Sequence, residues 1–319
     1  MTSTPVKSAA KPPYRAPRPL GGRVRARPSP RGRQGAHAAA FLAPGLTVLA
    51  VFVFWPILQA FRLSFTDATG FTSGHWVGLD NYLRIFQDPD VGRAFLNTGL
   101  YAVLFTPAVV CVALLGALLL NQRLPLRTVS RTLFFLPFVM SFAVAALAWQ
   151  YLLDPNVGLV NYWLRQVGLD LGNPLQSPTW AMPVVVFVAV WKMAGFYMVV
   201  FLAGLQDIPR HLYEAAAVDG AGPLRRFTTV TLPGLTDKLA FVLIFAVIAA
   251  FQAFDQIYIM TSGGPYRSTE TLVMSIFTEG FANLKLGFAS ALAIVLMLVT
   301  FALSAVQYRW FGRREGEAA

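Results

Sequence analysis

Six apolar stretches, near 39–61, 97–121, 132–153, 181–205, 237–261 and 287–309, constrain this chain more than any other feature. Each is long enough, at roughly 20 residues, to cross a bilayer as a helix. Lipid offers no partner to a free N–H or C=O, so a crossing segment has to satisfy its own backbone. The expected fold is therefore all-α, a polytopic membrane protein with six transmembrane helices. Composition agrees, because 56% of residues are hydrophobic and 13% charged, against about 25% charged in soluble domains. Pro44, Pro56, Pro107 and Pro137 fall inside the stretches, which membrane helices tolerate when neighbours re-satisfy the freed carbonyls.

The net charge of +11 invites a nucleic-acid reading, but its distribution argues against one. Basic residues come in short runs between apolar stretches, and no acidic residue precedes Asp67. Residues 1–37, rich in Pro, Arg and Gly, are expected to be a disordered basic tail and not a cleaved signal peptide. With that tail inside, the inner segments hold 19 Lys and Arg and the outer loops 5. Both termini are then cytoplasmic by the positive-inside rule, with 313–319 a short cytoplasmic tail. The outer segments 64–94, 154–180 and 262–286 mix aromatic and acidic residues. They read equally as interfacial helices or as a docking face for an external partner.

Several chemistries find no support. The lone Cys111 lies in an apolar run, and His37, His75 and His211 sit in three separate polar segments without metal-ligand spacing. No Gly-Lys dipeptide occurs, so there is no phosphate-binding P-loop. No catalytic residue and no metal ligand is assigned. A secondary transporter would need its own coupling-ion site and usually shows internal repeats, and none is visible.

The loop between the fourth and fifth stretches, 206–236, has helix–turn–helix chemistry. Leu212–Val218 is Ala-rich and favours helix. Gly220 and Gly222 permit positive φ and end that helix, Pro223 suits the first turn of the next, and Pro233 is expected to stop it. Glu214-Ala215-Ala216, Asp219-Gly220-Ala221, then Phe227, Val230, Leu232 and Pro233 resemble the EAA signature of ABC-importer permeases. Over roughly 39–312 the chain is similar to the carbohydrate-uptake group of that family, the maltose and glycerol-phosphate permeases. Gly78-Leu79-Asp80-Asn81-Tyr82, Asp154-Pro155 with Gly158 and Asn161, and Thr261 with Gly263-Gly264-Pro265 carry the likeness further.

The resemblance implies a type I ABC importer transmembrane domain over 38–312, in a bacterial or archaeal cell membrane. It implies a loop that couples to a cytoplasmic ATP-binding subunit dimer through Glu214, Ala215, Ala216, Asp219, Gly220, Ala221, Phe227, Leu232 and Pro233. ATP and Mg would be bound by that partner, so the chain itself is no enzyme and carries no cofactor. The remaining implied partners are a second homologous permease, an extracytoplasmic solute-binding protein and membrane lipid, with no nucleic acid. The cargo implied is a sugar, the alternative glycerol phosphate or another polyol. Ionisable and aromatic residues within spans are candidates for the path: Trp191, Lys192, Phe196, Tyr197, Phe251, Gln252 and Asp255. Lys192 and Asp255 either line it, singly or as a pair, or form a structural contact between helices.

Overall fold

The structure, a computed structural model, describes residues 41–122, 127–169 and 172–316; the basic tail expected over 1–37 lies outside them. The chain divides at Phe54/Trp55 into two compact units. The first candidate span is the helix Phe41–Leu63 (α1), apolar but for Thr47, Gln59 and Arg62, with a π-helical turn at Ala50–Phe54.

The larger unit, which follows Phe54, is helical, and among the described residues its extended pairing is limited to two isolated bridges, Thr66 with Trp76 and Thr69 with Thr72. The helices are α2 (Asp80–Gln87), α3 (Pro89–Asn121), α4 (Arg127–Val139), α5 (Phe142–Leu152), α6 (Leu159–Gln166) and α7 (Ala181–Asp207). There follow α8 (Arg210–Val218), α9 (Pro223–Gly234), α10 (Thr236–Phe251), α11 (Asp255–Thr261), α12 (Leu272–Ala282) and α13 (Leu286–Gly316).

The core is built on α3 against α7. Asp88 caps α3, its carboxylate accepting the Asp90 N–H at 3.0 Å, and Pro89 fills the first turn, where no N–H is needed. The helix then runs 33 residues, about 50 Å at 1.5 Å per residue. Its buried positions Ala94, Thr98, Tyr101, Phe105, Val109, Ala113, Gly116 and Leu120 recur every three or four residues, while Leu96, Val103, Leu115 and Leu119 stay exposed. Lipid tails are as apolar as leucine, so helices here associate by close packing and interhelical hydrogen bonds instead of solvent exclusion. Small residues permit that approach. A Cβ on Gly195 would press on the backbone of Phe134 and Phe135, and one on Gly116 would lie 3.3 Å from Met198 Cγ.

Two expected spans are broken. The stretch 132–153 is not one helix: α4 ends at Val139 and α5 begins at Phe142, bent by 99°. Pro137 disturbs the last turn of α4, and Ser141 caps α5 by accepting the Val144 N–H at 3.2 Å. The stretch 237–261 is interrupted at Gln252–Phe254, where α10 stops and α11 restarts. A further 70° bend separates α9 from α10. The segment expected as a tail from 313 continues α13 as far as Gly316.

Candidate functional site

The EAA segment folds as two short helices joined by a tight cap. Helix α8 has no fully buried residue, and Glu214, Ala215, Asp219 and Gly220 are all exposed. At its C-terminus the Ala221 N–H bonds the Ala216 carbonyl at 2.9 Å and the Gly220 N–H bonds the Ala217 carbonyl at 3.1 Å. Those two bonds make a Schellman motif, which places residue 220 in the left-handed region. Its φ is +72°, and beyond the flanking residues no side chain or backbone lies within 4 Å of where a Cβ would point. Glycine at 220 is thus a backbone requirement, with the space around it open.

Helix α9 braces α8 against the span below it. Arg226 Nε donates to the Ala221 carbonyl at 2.8 Å, and the Tyr213 hydroxyl meets Thr231 Oγ1 at 3.1 Å. Ile208, Ala221, Thr231 and Leu235 are buried, and Phe227 is half-buried beside them. Gly234 lets Ile208 in, because a Cβ there would sit 2.8 Å from Ile208 Cδ1. Pro233 does not stop α9 where expected. A π-helical turn over Phe227–Thr231 carries the chain through Leu232–Gly234, and the helix ends one residue past the proline. Leu232 and Pro233 are exposed, as are Val218 (89%) and Leu224 (78%). The result is a stiff, outward-facing knob carrying exposed carboxylates and small residues.

The path candidates do not converge on one site. Lys192 is buried, 4% exposed. Its Nζ donates to the Phe138 carbonyl at 3.3 Å, just ahead of the break between α4 and α5, and lies 4.3 Å from the centre of the Phe142 ring. Among the described residues no ion pair joins it to Asp255. Tyr197 is core, stacked edge-on against Phe196. Trp191 lines a different cavity of about 600 Å³ with Phe134, Pro137 and Phe187, and Phe251 faces α3 and α13.

Gln252 and Asp255, by contrast, share a cavity of about 150 Å³ at the break between α10 and α11. Its other walls include Tyr101, Phe105, Phe142, Phe254 and Gln256. The buried Gln256 amide donates to the Tyr101 hydroxyl at 2.9 Å, which ties the broken span to α3. Tyr101, Phe105 and Gln256 were not among the expected path residues. The signal for two of them was present: a phenol and an amide inside apolar stretches, where polar groups are costly and tend to be used.

Residues in and around the motifs at 154–161 and 261–270 make local structural contacts. Asp154 accepts the Asn156 and Val157 N–H groups, and these bonds hold its carboxyl below the usual range. Asn161 Nδ2 donates to the Leu153 carbonyl at 2.8 Å. Asn97 Nδ2 on α3 donates to the Arg267 and Glu270 carbonyls at 2.8 and 2.9 Å, and Arg267 pairs with Asp90 and Glu270. The Asp90 hydrogen bond is the main reason the guanidinium is pushed above its usual value.

Known proteins share this architecture. Residues 108–316 match the family model described as "binding-protein-dependent transport system inner membrane component". The chain is 37% identical over 273 residues to the sn-glycerol-3-phosphate transport system permease protein UgpA of Yersinia pestis bv. Antiqua (strain Antiqua), covering 85% of this chain and 92% of that one. The protein of the same name from Brucella suis biovar 1 (strain 1330) is 38% identical over 276 residues, covering 86% and 94%. Among solved structures, a bacterial ABC transporter involved in import of the acidic polysaccharide alginate superposes with a TM-score of 0.78 at 25% identity, covering 88% of this chain and 96% of that one. The same TM-score is found with the alginate transporter in complex with its alginate pentasaccharide-bound periplasmic protein.

Proposed function

The chain belongs to the family of binding-protein-dependent transport system inner membrane components, and we propose that it forms half of a path for a sugar, driven by a separate ATPase through the knob at Arg210–Gly234. It is a permease, not an enzyme. The observation that carries the coupling role is the Schellman-capped α8: exposed, and braced onto α9. A short helix held between two spans passes the closure of a partner dimer to the membrane as rigid-body motion. Glu214 presents a charge to a basic groove, and the alanines leave room for that groove to approach. The positive-inside count supports placing this knob, and both termini, on the cytoplasmic side. A second permease completes the path, and a binding protein delivers cargo from outside.

The cavity at Gln252 and Asp255 supports a hydroxylated, uncharged cargo. Aromatic walls with a few hydrogen-bonding groups suit a sugar ring, and the Lys192 ammonium, which is not among those walls, donates to the Phe138 carbonyl beside the α4–α5 break. A second reading, sn-glycerol-3-phosphate or another polyol phosphate, is favoured by what the Yersinia and Brucella relatives are named for. The experiment is reconstitution of the full complex in proteoliposomes with its binding protein. Labelled maltose and sn-glycerol-3-phosphate are each offered, and uptake is followed together with ATPase activity. Glu214→Ala, an exposed change, is expected to leave assembly intact while separating hydrolysis from uptake. Wild-type uptake in that variant would remove the coupling role, and uptake that persists without an ATPase subunit would remove the whole proposal.

A further inference from the structure

We infer that Phe254, Tyr258, Phe277 and Phe281 form a stacking track along which a hydroxylated solute moves between the outer surface and the cavity at the α10–α11 break, an inference that rests on the transport reading above.

The four rings are continuous. Phe254 and Tyr258 stack with centroids 5.3 Å apart and planes 18° apart. Phe277 sits 5.1 Å from Phe254 and 5.2 Å from Tyr258, and Phe281 follows at 5.4 Å from Phe277, again stacked. The ladder has two open ends. Phe254 is itself a wall of the cavity that holds Gln252 and Asp255, while Tyr258 is 42% and Phe281 73% exposed. A comparable ladder, Phe135–Phe138–Phe196–Tyr197, ends on a fully buried tyrosine and is core packing.

Polar groups flank the track at both ends, which a lipid-facing stripe has no use for. Gln252 and Asp255 adjoin Phe254 in the chain and are exposed. Around Phe281, Glu279 accepts from Asn283 at 3.0 Å and pairs with Lys285 at 3.0 Å. Contiguous exposed apolar surface rimmed by polar residues marks an interaction site, ligand-binding grooves among them. Aromatic rings also supply broad contact area at little conformational entropy cost. They offer a flat face to the C–H side of a sugar while its hydroxyls stay hydrated, a mode that is weak at each ring and so permits onward movement.

The test uses the whole complex in proteoliposomes with loaded binding protein. Uptake of labelled glucose, maltose, maltotriose and sn-glycerol-3-phosphate is measured for wild type, Phe277→Leu, Phe281→Leu and Phe281→Tyr. Leucine keeps the apolar volume and removes the ring face. Each leucine variant is expected to raise KM for the transported solute roughly threefold to tenfold, with kcat and binding-protein-stimulated ATPase activity within about twofold. Phe281→Tyr is expected to restore KM. Unchanged KM in both leucine variants would overturn the track. So would failure of the second permease to co-purify with them, which would make the face a subunit interface. Loss of ATPase stimulation along with uptake would overturn it too, making the face a dock for the binding protein. Failure of the transport reading itself is distinguishable, because it abolishes uptake in the wild-type complex.

Discussion

Gly220 lets the coupling role be tested through backbone conformation alone. Its φ of +72° belongs to the Schellman cap that ends α8, and beyond the flanking residues no atom lies within 4 Å of the position an added methyl would take, so contact with the rest of the chain contributes nothing. Gly220→Ala therefore costs the left-handed penalty of an L-residue, roughly 1–2 kcal/mol. That corresponds to a factor of roughly 5–30 in the population of the capped loop. Gly220→Asn should cost less, because asparagine visits this region more readily. Gly222→Ala, at an ordinary φ and also in open space, is expected to be near neutral. Binding-protein-stimulated uptake per ATP hydrolysed, in the reconstituted complex, is the measurement, and the expected order is wild type, Gly222→Ala, Gly220→Asn, Gly220→Ala. The order also separates two causes. A partner surface crowding this site would punish asparagine more than the smaller alanine. Asparagine performing worse than alanine, or alanine matching wild type, would refute the conformational account.

Three further outcomes are expected. Gly195→Ala should lower the melting temperature of the purified complex, since overpacking against the fixed backbone of Phe134–Phe135 costs about 1–3 kcal/mol. Gly99→Ala, mid-helix with open space around it, should hold or raise the same Tm; matching shifts for both would contradict the packing. Lys192→Met is expected to leave solute KM within about twofold, because its ammonium serves the Phe138 carbonyl, whereas Asp255→Asn at the cavity should raise KM. A large KM effect from Lys192→Met would return that side chain to the path. The Asp154 turn should stay intact as pH falls through the ordinary aspartate value of about 3.9 and loosen only below it. Its folded pKa is depressed, so the stabilisation is present above the ordinary value and is lost as pH drops through the lower one. Exchange at the Asn156 and Val157 amides, corrected for intrinsic rates, reads this, and release at about 3.9 or above would contradict it.

What the sequence made legible was what depends on local chemistry. Gly220 and Pro223 dictate a capped helix and a new helix through their own φ preferences, and the structure shows that arrangement, while Gly222 sits at a φ of −69° and makes no use of left-handed freedom. The apolar stretches likewise give helices, because burial in lipid leaves few alternatives. The breaks were not visible, because hydropathy averages over a window in which one serine weighs little. Ser141 shows itself as a cap only when α5 turns away from α4. Past the second break, the Gln256 amide on α11 reaches the Tyr101 hydroxyl on α3 across 155 positions. The Lys192 contact with Phe138 spans 54 positions, and no spacing rule reaches that far. Pro233 misled in a smaller way, since the π-helical turn before it absorbs the missing N–H.

The bend between α4 and α5 also has a consequence for biogenesis. Chain order delivers residues 127–152 to the membrane before Lys192 and Gly195 exist to receive them. At that moment nothing from α7 is present to take the Phe138 carbonyl, and an exposed break in hydrocarbon is costly. The third stretch is therefore expected to enter as a continuous helix. It folds to its 99° form only when α7 docks and supplies both the ammonium and the glycine notch. Helix α7 thus acts as a template for a neighbour made earlier, so truncation before residue 181 should leave that neighbour straight.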